Sequence, residues 1–315
     1  MGNYDRLSVM LPVLFSFGPL VISSFGFFLA LSFLYSTFLA WRLARAWDLD
    51  EEKVLDICLL TFFGGLIGAR ILFVLFNLSI FIEDPIKISL LTKYPGLSFW
   101  GGLLGGGLAL YFFVRRVKKI NFWQVADLAS VGLLGGLVLG NIGCFLGGCN
   151  VGAESSLPLA VSMVGYLGKR FPTQILEAIT FAIILWKIWP MATHFHFTGK
   201  IASLSLILLG LVEVILNPFK DILALEWIFP IITFSVGVFS FYYLSKKSIL
   251  ADLTGFLRYF FGLFTNNKVR KHLLNFLLKS WYNQKVALRW NFYRLKKKSL
   301  SALRRRRVKP TTGNI

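Results

Sequence analysis

Charge is scarce in this chain. Of its 315 residues only 16% are Asp, Glu, Lys or Arg, whereas a soluble domain carries roughly 25%. Hydrophobic residues make up 56% of the sequence, and its mean hydropathy is +0.67. This composition excludes an ordinary water-soluble fold and predicts an all-α, polytopic membrane protein, in which helices satisfy their own backbone groups within lipid.

Acidic residues are nearly missing from one end of the chain. From Ser245 onward there are 18 Lys or Arg and one acid, Asp252, so +17 of the formal net charge of +19 lies there. We therefore expect a membrane domain over residues 1–244 and a basic cytoplasmic tail over residues 245–315. Leu and Phe recur at helical spacing between Leu273 and Leu288. This pattern favours a helix that lies on an anionic membrane surface. A solvated, disordered tail is the second alternative, and a nucleic acid is the least favoured partner.

Cysteine and histidine are rare, with three residues of each. Cys58, Cys144 and Cys149 lie in apolar runs. The spacing of five between Cys144 and Cys149 puts them on different faces of a helix, so we expect no disulfide framework. The pair His194 and His196 lies near a helix end and is a weak pattern for metal binding. We therefore expect no metal and no cofactor.

Long apolar runs dominate the rest of the sequence. A membrane-spanning helix needs about 20 mostly apolar residues, and seven stretches qualify: Phe17–Ala40, Val54–Asn77, Leu97–Val114, Phe122–Gly148, Thr173–Trp189, Ile201–Leu216 and Ala224–Leu244. Lys and Arg concentrate in the first and third connections and after the seventh stretch, which predicts an external N-terminus and a cytoplasmic C-terminus. The first apolar run continues past signal-peptide length, so we expect it to be retained.

Four ionisable residues fall inside these stretches, namely Arg70, Asp127, Glu177 and Glu213. Each costs roughly 2.5–3.5 kcal/mol at the bilayer centre and is expected to face the protein interior. Arg70 is either an anchor for an anionic lipid headgroup or the partner of one of the three acids. Asp127 is better explained as an interfacial residue near the start of its helix. With three acids and one base, at least one acid must lie near water or be protonated.

Glycine-rich segments mark two of the predicted spans. The third span begins with Trp100, Gly101 and Gly102, and the fourth closes with the segment Leu139–Gly152, which contains Asn141 and Gly143. Glycine lets backbones approach one another or a ligand closely. The asparagine amide requires a polar partner that lipid does not supply. We interpret Leu139–Gly152 as the floor of a site.

Four motifs together resemble a known family. They are Leu97-Ser98-Phe99-Trp100-Gly101-Gly102, Val125-Ala126-Asp127-Leu128, Gly140-Asn141-Ile142-Gly143-Cys144-Phe145-Leu146, and Pro172-Thr173-Gln174 followed by Glu177. In this order they resemble the prolipoprotein diacylglyceryl transferases over about residues 16–244. The resemblance implies seven spans in the bacterial inner membrane. It also implies transfer of a diacylglyceryl group from phosphatidylglycerol to the lipobox cysteine thiol of a prolipoprotein, and these two molecules are the implied partners.

The resemblance also assigns roles to individual residues. The substrate-binding set is Arg70, Trp100, Gly101, Gly102, Asn141, Gly143, Gly152 and Gln174, and the candidates for accepting the thiol proton are Glu177 and Glu213. The chain departs from the family pattern at several positions: Trp100 and Phe171 stand in place of His, Asn141 and Glu213 in place of Arg, Phe25 in place of Tyr, and Cys144 and Cys149 in place of Asn and Glu.

Three functions remain open at the level of sequence. The first is a divergent but active diacylglyceryl transferase. The second is a catalytically silent relative that binds lipid or assembles with other membrane proteins. The third, and least favoured, is an enzyme with another substrate that uses Cys144 or Cys149 as its nucleophile, because buried cysteines are usually inert.

Overall fold

The computed structural model describes residues 10–18, 20–82, 84–89, 94, 96–117, 121–163 and 165–307. The chain forms two compact units, Met1–Lys246 and Lys247–Ile315. The helices of the first unit are α1 (Ser24–Ala46), α2 (Glu51–Phe76), α3 (Leu78–Phe81), α4 (Phe99–Arg116), α5 (Phe122–Gly147), α6 (Thr173–Thr193), α7 (Lys200–Leu216) and α8 (Ile228–Ser245). The second unit contains α9 (Ile249–Thr265) and α10 (Asn267–Arg307).

Short strands and 3-10 turns join these helices. The strands form two antiparallel pairs, β1 (Val13–Phe17) with β2 (Leu20–Ser23) and β3 (Val161–Ser162) with β4 (Lys169–Arg170). The 3-10 turns are Pro85–Ile88, Asn217–Phe219 and Ala224–Trp227.

The first predicted span was wrong at its start. The residues before Ser24 form the β1–β2 hairpin, and α1 begins only where the Ser23 hydroxyl accepts a hydrogen bond from the Gly26 N–H at 3.1 Å. A second contact fixes this point, since the Ser24 hydroxyl donates to the Leu11 carbonyl. An apolar run does not by itself distinguish strand from helix, which is why hydropathy placed the boundary too early.

Six helical segments in the described ranges are long and apolar enough to cross a membrane, and they include six of the seven predicted spans. The third predicted span, now α4, is the exception, and its 18 residues include five glycines as well as Arg115 and Arg116. It still extends about 27 Å at the usual rise per residue. The protein is therefore a multi-pass, mostly helical membrane protein.

Helices α2 and α4 pack with their backbones in contact. A Cβ added to Gly68 would lie 2.5 Å from the Gly101 carbonyl oxygen and 2.7 Å from the Gly105 Cα. One added to Gly64 would lie 2.5 Å from the Ala109 Cβ. The glycines of the third predicted span are thus explained by close helix packing, which small residues permit within lipid.

Helix α5 is central, with α1, α6 and α7 packed around it. The hydrophobic core here includes Leu43 of α1, Leu134 of α5, Phe181 of α6 and Ile201 of α7, each at most 1% exposed. At one end of this group, Asp127 of α5 accepts hydrogen bonds from the backbone N–H groups of Gly199 and Ala202, at 2.6 and 2.7 Å. Because the first turn of α7 lacks a side-chain cap of its own, Asp127 satisfies N–H groups that would otherwise be unpaired.

Candidate functional site

A buried lysine lies between two glutamates at the opposite end of the bundle. The Lys220 ammonium is 2.7 Å from Glu177 Oε1 and 2.5 Å from Glu213 Oε2. The three side chains are 5%, 4% and 6% exposed, respectively. We call these three residues the charged triad. Because all three charges are removed from water, each depends on the others for stabilisation.

Three helix ends bring the triad together. Glu177 lies in the second turn of α6, Glu213 lies in the last turn of α7, and Lys220 follows the 3-10 turn after α7. The backbone of Lys220 is held against Gly152, with which it forms an antiparallel bridge. Next to this bridge, the Ala153 N–H donates to the Phe219 carbonyl at 2.8 Å. The loop after α5 therefore fixes the cation between the two acids.

The triad keeps the lysine charged and leaves acceptors unused. Burial lowers the pKa of Lys220, but the carboxylates of Glu213 and Glu177 outweigh that effect and raise it above its ordinary value. Each glutamate pairs with Lys220 through one oxygen. In the described part of the chain, the other oxygen of each carboxylate has no hydrogen bond or ion pair. The cluster thus holds one ammonium, two carboxylates and two acceptor oxygens that a substrate could use.

Gln174 lies one helical turn before Glu177 and is fully buried. Its amide nitrogen donates to the carbonyls of Cys149 and Asn150, both at 2.8 Å, and so ties the start of α6 to the end of α5. Its oxygen Oε1 and the neighbouring Thr173 hydroxyl are buried without hydrogen-bond partners among the described residues. A buried polar atom without a partner is costly, so these two atoms mark a place where a ligand or water would be stabilised.

The expectation that the cysteines form no disulfide was wrong, since Cys144 and Cys149 are joined. Helix α5 ends at Gly147, and Gly148 adopts a left-handed conformation with φ 78°. The chain therefore turns back, and the Cys149 N–H donates to the Cys144 carbonyl at 3.0 Å. The argument from spacing assumed a continuous helix through both positions. The disulfide leaves neither sulfur as a free thiol, which removes the hypothesis of a cysteine nucleophile.

Within the segment predicted as the floor of the site, the residues have different roles. Gly143 packs on α1, where an added Cβ would lie 2.3 Å from the Phe28 Cβ. At Gly152 an added Cβ would lie 1.9 Å from the Phe171 carbonyl oxygen, so only glycine fits beside the triad. Asn141 is partly buried, and its amide makes no hydrogen bond to the rest of the described chain. Gly152 adjoins the triad, whereas Gly143 packs between helices.

Trp100, Gly101 and Gly102 lie at the start of α4 and pack against neighbouring helices. The indole of Trp100 is 7% exposed and stacks on Phe229 of α8, with ring centroids 5.8 Å apart. Gly101 packs on α2, where an added Cβ would lie 2.4 Å from the Gly68 carbonyl oxygen, and Gly102 faces the same helix. These contacts are those of close helix packing. The substrate-binding role that the resemblance implied for these three residues stays a prediction.

The expectation that Arg70 pairs with one of the three acids was wrong in the described ranges, whereas its role as a headgroup anchor stays a prediction. Its guanidinium donates to the backbone carbonyls of Lys87, Ile88, Tyr94 and Gly96 at 2.9 to 3.0 Å. It is 8% exposed and forms no ion pair with an acid in the described ranges. Four carbonyl dipoles stabilise this cation, so its geometry is that of a clamp on the connection between α2 and α4. Little of its donor capacity remains for a lipid phosphate.

A second basic residue lies at the edge of the triad. One terminal nitrogen of Arg170 lies 3.3 Å from the Asp221 carboxylate and 3.4 Å from the Gly152 carbonyl oxygen. Its guanidinium also lies over the Tyr166 ring, 5.2 Å from the centroid. Since Asp221 is 69% exposed whereas Arg170 is 16% exposed, the arginine forms the boundary between the buried triad and solvent.

Lys220 is the functional candidate that sequence reasoning missed. Lys220 lies outside every predicted span, so sequence reasoning counted it only as a basic residue of a connection between spans. The available signal was the charge count, because an excess of buried acids over buried bases can also be balanced by a cation from a connection. Lys220 lies in the connection that follows α7.

Comparison with known proteins places this arrangement in a family. The family described as prolipoprotein diacylglyceryl transferase matches residues 12–243. The chain belongs to the prolipoprotein diacylglyceryl transferase family. All three triad residues and Gln174 lie within the matched region, whereas α9 and α10 lie outside it.

Individual relatives agree with the family match. The phosphatidylglycerol–prolipoprotein diacylglyceryl transferase of Rickettsia rickettsii is 33% identical over 198 residues, which cover 62% of this chain and 76% of that protein. The enzyme of the same name from Pasteurella multocida is 32% identical over 229 residues, 70% of this chain and 83% of its own. That from Clostridium tetani is 26% identical over 247 residues, 74% of this chain and 97% of its own.

Proposed function

We propose that this protein transfers the diacylglyceryl group of phosphatidylglycerol to the thiol of a prolipoprotein cysteine. The sulfur forms a bond to the terminal glycerol carbon of the diacylglyceryl group, and the bond from that carbon to the phosphate oxygen breaks. Glycerol phosphate leaves, and a base takes the thiol proton. The match of residues 12–243 to the transferase family carries the proposal.

The charged triad supplies the two chemical functions that this reaction needs. A thiolate is a far better nucleophile than a thiol, so a proton acceptor must lie near the sulfur. Glu177 and Glu213 each have one carboxylate oxygen that is not paired with Lys220. Either oxygen is placed to accept the proton. Gln174 Oε1, buried and unpaired nearby, is a further acceptor that could orient a substrate N–H or O–H group.

Proton uptake would also release the lysine. Two carboxylates and one ammonium carry a net charge of −1, which repels a phosphate. Once one carboxylate is protonated, the Lys220 ammonium is no longer shared between two anions and can stabilise the charge that develops on the leaving phosphate. The resemblance placed Glu213 where the family carries arginine, and Lys220, which is paired with Glu213, supplies a cation at that place.

The proposal includes the architecture around the site. We infer that α4 also spans the membrane and brings the number of spans to seven. It packs along α2 by backbone contact and has about the length needed to cross the hydrocarbon core. The distribution of Lys and Arg supports an external N-terminus and a cytoplasmic C-terminus. The triad would then lie at the outer side of the bacterial inner membrane, where a prolipoprotein cysteine reaches it. Residues 1–244 would form the transferase domain and residues 245–315 a separate tail.

The test is transfer of labelled diacylglyceryl from phosphatidylglycerol to a lipobox peptide by purified protein in nanodiscs. Glu177→Gln and Glu213→Gln are compared with Glu52→Gln, which changes an exposed glutamate of α2. We expect one of the two triad variants to lose about 10²–10⁴-fold in rate, as for removal of a proton acceptor, and Glu52→Gln to lose nothing.

Two results would contradict this scheme. Full activity in both triad variants would remove the glutamates from the chemistry while leaving the family reaction intact. If the unmodified protein binds phosphatidylglycerol but transfers no lipid where another family member does, the chain is a silent relative.

A further inference from the structure

Helix α9 (Ile249–Thr265) carries an uncovered apolar face. Five large apolar residues occur on one side at helical spacing: Leu250, Leu253, Leu257, Phe261 and Phe264. They are between 42% and 72% exposed. Asp252, Gly255 and Arg258 occupy the other side. We call the side with these five residues the apolar face of α9. An apolar stripe opposite a polar one is the pattern of a helix that lies on a partner surface.

Chain connectivity places the start of this helix near the membrane. Helix α8 belongs to a segment that is apolar and long enough to span a bilayer, and it ends at Ser245. The three residues Lys246, Lys247 and Ser248 then lead into α9. At most about 15 Å of backbone therefore joins the end of this segment to the start of α9. For a helix this close in sequence to a membrane-spanning segment, lipid is the nearest apolar phase.

Charge identifies the kind of lipid. Beyond Asp252 the rest of the tail contains no acid, and the exposed bases of α10 include Lys268, Arg270, Lys271, Lys279, Lys285 and Arg289. Juxtamembrane bases of this density are attracted to anionic headgroups. We propose that α9 lies in the membrane interface with its apolar face in the acyl boundary, and that α10 binds anionic lipid headgroups. This proposal is independent of the transferase reaction.

The depth of α9 is measured on the full-length protein by spin labelling. The background is Cys58→Ser, because Cys58 is the one free cysteine in the described ranges and the Cys144–Cys149 disulfide does not react with the label. A nitroxide is attached at Leu257→Cys on the apolar face or at Gly255→Cys on the polar side, where an added side chain meets open space. The protein is reconstituted in phosphatidylcholine vesicles containing phosphatidylserine.

The two labels should behave differently. We expect the ratio of oxygen to nickel-chelate accessibility to be several-fold higher at position 257 than at position 255. Equal ratios would overturn the interfacial placement. Low accessibility to both reagents at position 257 would also overturn it, because it would show that protein rather than lipid covers the face.

A label at Tyr282→Cys tests the headgroup contact of α10. It should be immobilised with phosphatidylserine, released by high salt, and mobile in phosphatidylcholine alone. The same mobility in both vesicles would refute the anionic-lipid part of the proposal.

Discussion

Replacing Lys220 with methionine should destabilise the protein strongly. The substitution keeps the length of the side chain and removes the ammonium that lies 2.7 Å from Glu177 and 2.5 Å from Glu213. Two buried carboxylates then face each other without a cation. Protonating one glutamate of ordinary pKa, near 4.3, costs about 3.7 kcal/mol at pH 7. Breaking a buried ion pair typically costs about 3–5 kcal/mol. We therefore expect a loss of about 4 kcal/mol.

Thermal unfolding in detergent, followed by intrinsic fluorescence, measures the effect. At about 2–4 °C per kcal/mol for a unit of this size, the midpoint should fall by roughly 8–16 °C. The matched control is Lys53→Met. Lys53 lies 2.6 Å from Asp50, but both side chains are nearly half exposed, so its ion pair should contribute at most about 1 kcal/mol.

A combined variant tests the physical reason. Adding Glu177→Gln and Glu213→Gln to Lys220→Met removes the unpaired charges, and most of the lost stability should return because neutral groups of the same shape need no counterion. The reasoning is refuted if Lys220→Met unfolds at the same temperature as Lys53→Met. It is also refuted if the combined variant is no more stable than Lys220→Met alone.

Three further predictions follow from other contacts. The pKa of Lys220 is raised above its ordinary value of 10.5 in the folded state. The stability that the charged lysine contributes is therefore complete below about pH 10 and is lost as pH rises through the folded pKa. Thermal unfolding midpoints measured between pH 8 and 12 should fall steeply for the native protein and much less for Lys220→Met. Asp127→Ala should lower the free energy of chemical unfolding by about 2–4 kcal/mol because two N–H groups at the start of α7 lose their acceptor. Asp84→Ala, which removes an exposed cap of a 3-10 turn, should lower it by less than about 1 kcal/mol. Gly68→Ala should lower stability by about 1–3 kcal/mol through a clash with α4. Gly107→Ala, where an added Cβ has nothing within 4 Å, should be neutral or stabilising in the same assay. Equal effects of the two substitutions would contradict close packing of α2 on α4.

The class of the protein and its family can both be predicted from the amino-acid sequence. Hydropathy depends on composition over about 20 residues, so it located six helices that are long and apolar enough to span a membrane without any knowledge of their neighbours. Family motifs are likewise local in sequence, and they identified the transferase family that the comparison confirmed. Sequence reasoning also placed Glu177 and Glu213 inside the protein, because a charge in lipid must be buried.

Which charged side chains come into contact depends on the packing of the helices in three dimensions. Lys220 follows Glu213 by seven residues and Glu177 by 43, and their contact depends on how α6 and α7 end at one side of the bundle. The guanidinium of Arg70 is a chemical group that suits a phosphate, yet it donates hydrogen bonds to four backbone carbonyls of its own chain. The disulfide depends on a left-handed turn at Gly148 that spacing does not reveal. Electrostatic and covalent partners are selected by distance in space, whereas sequence patterns report the environment of one segment at a time.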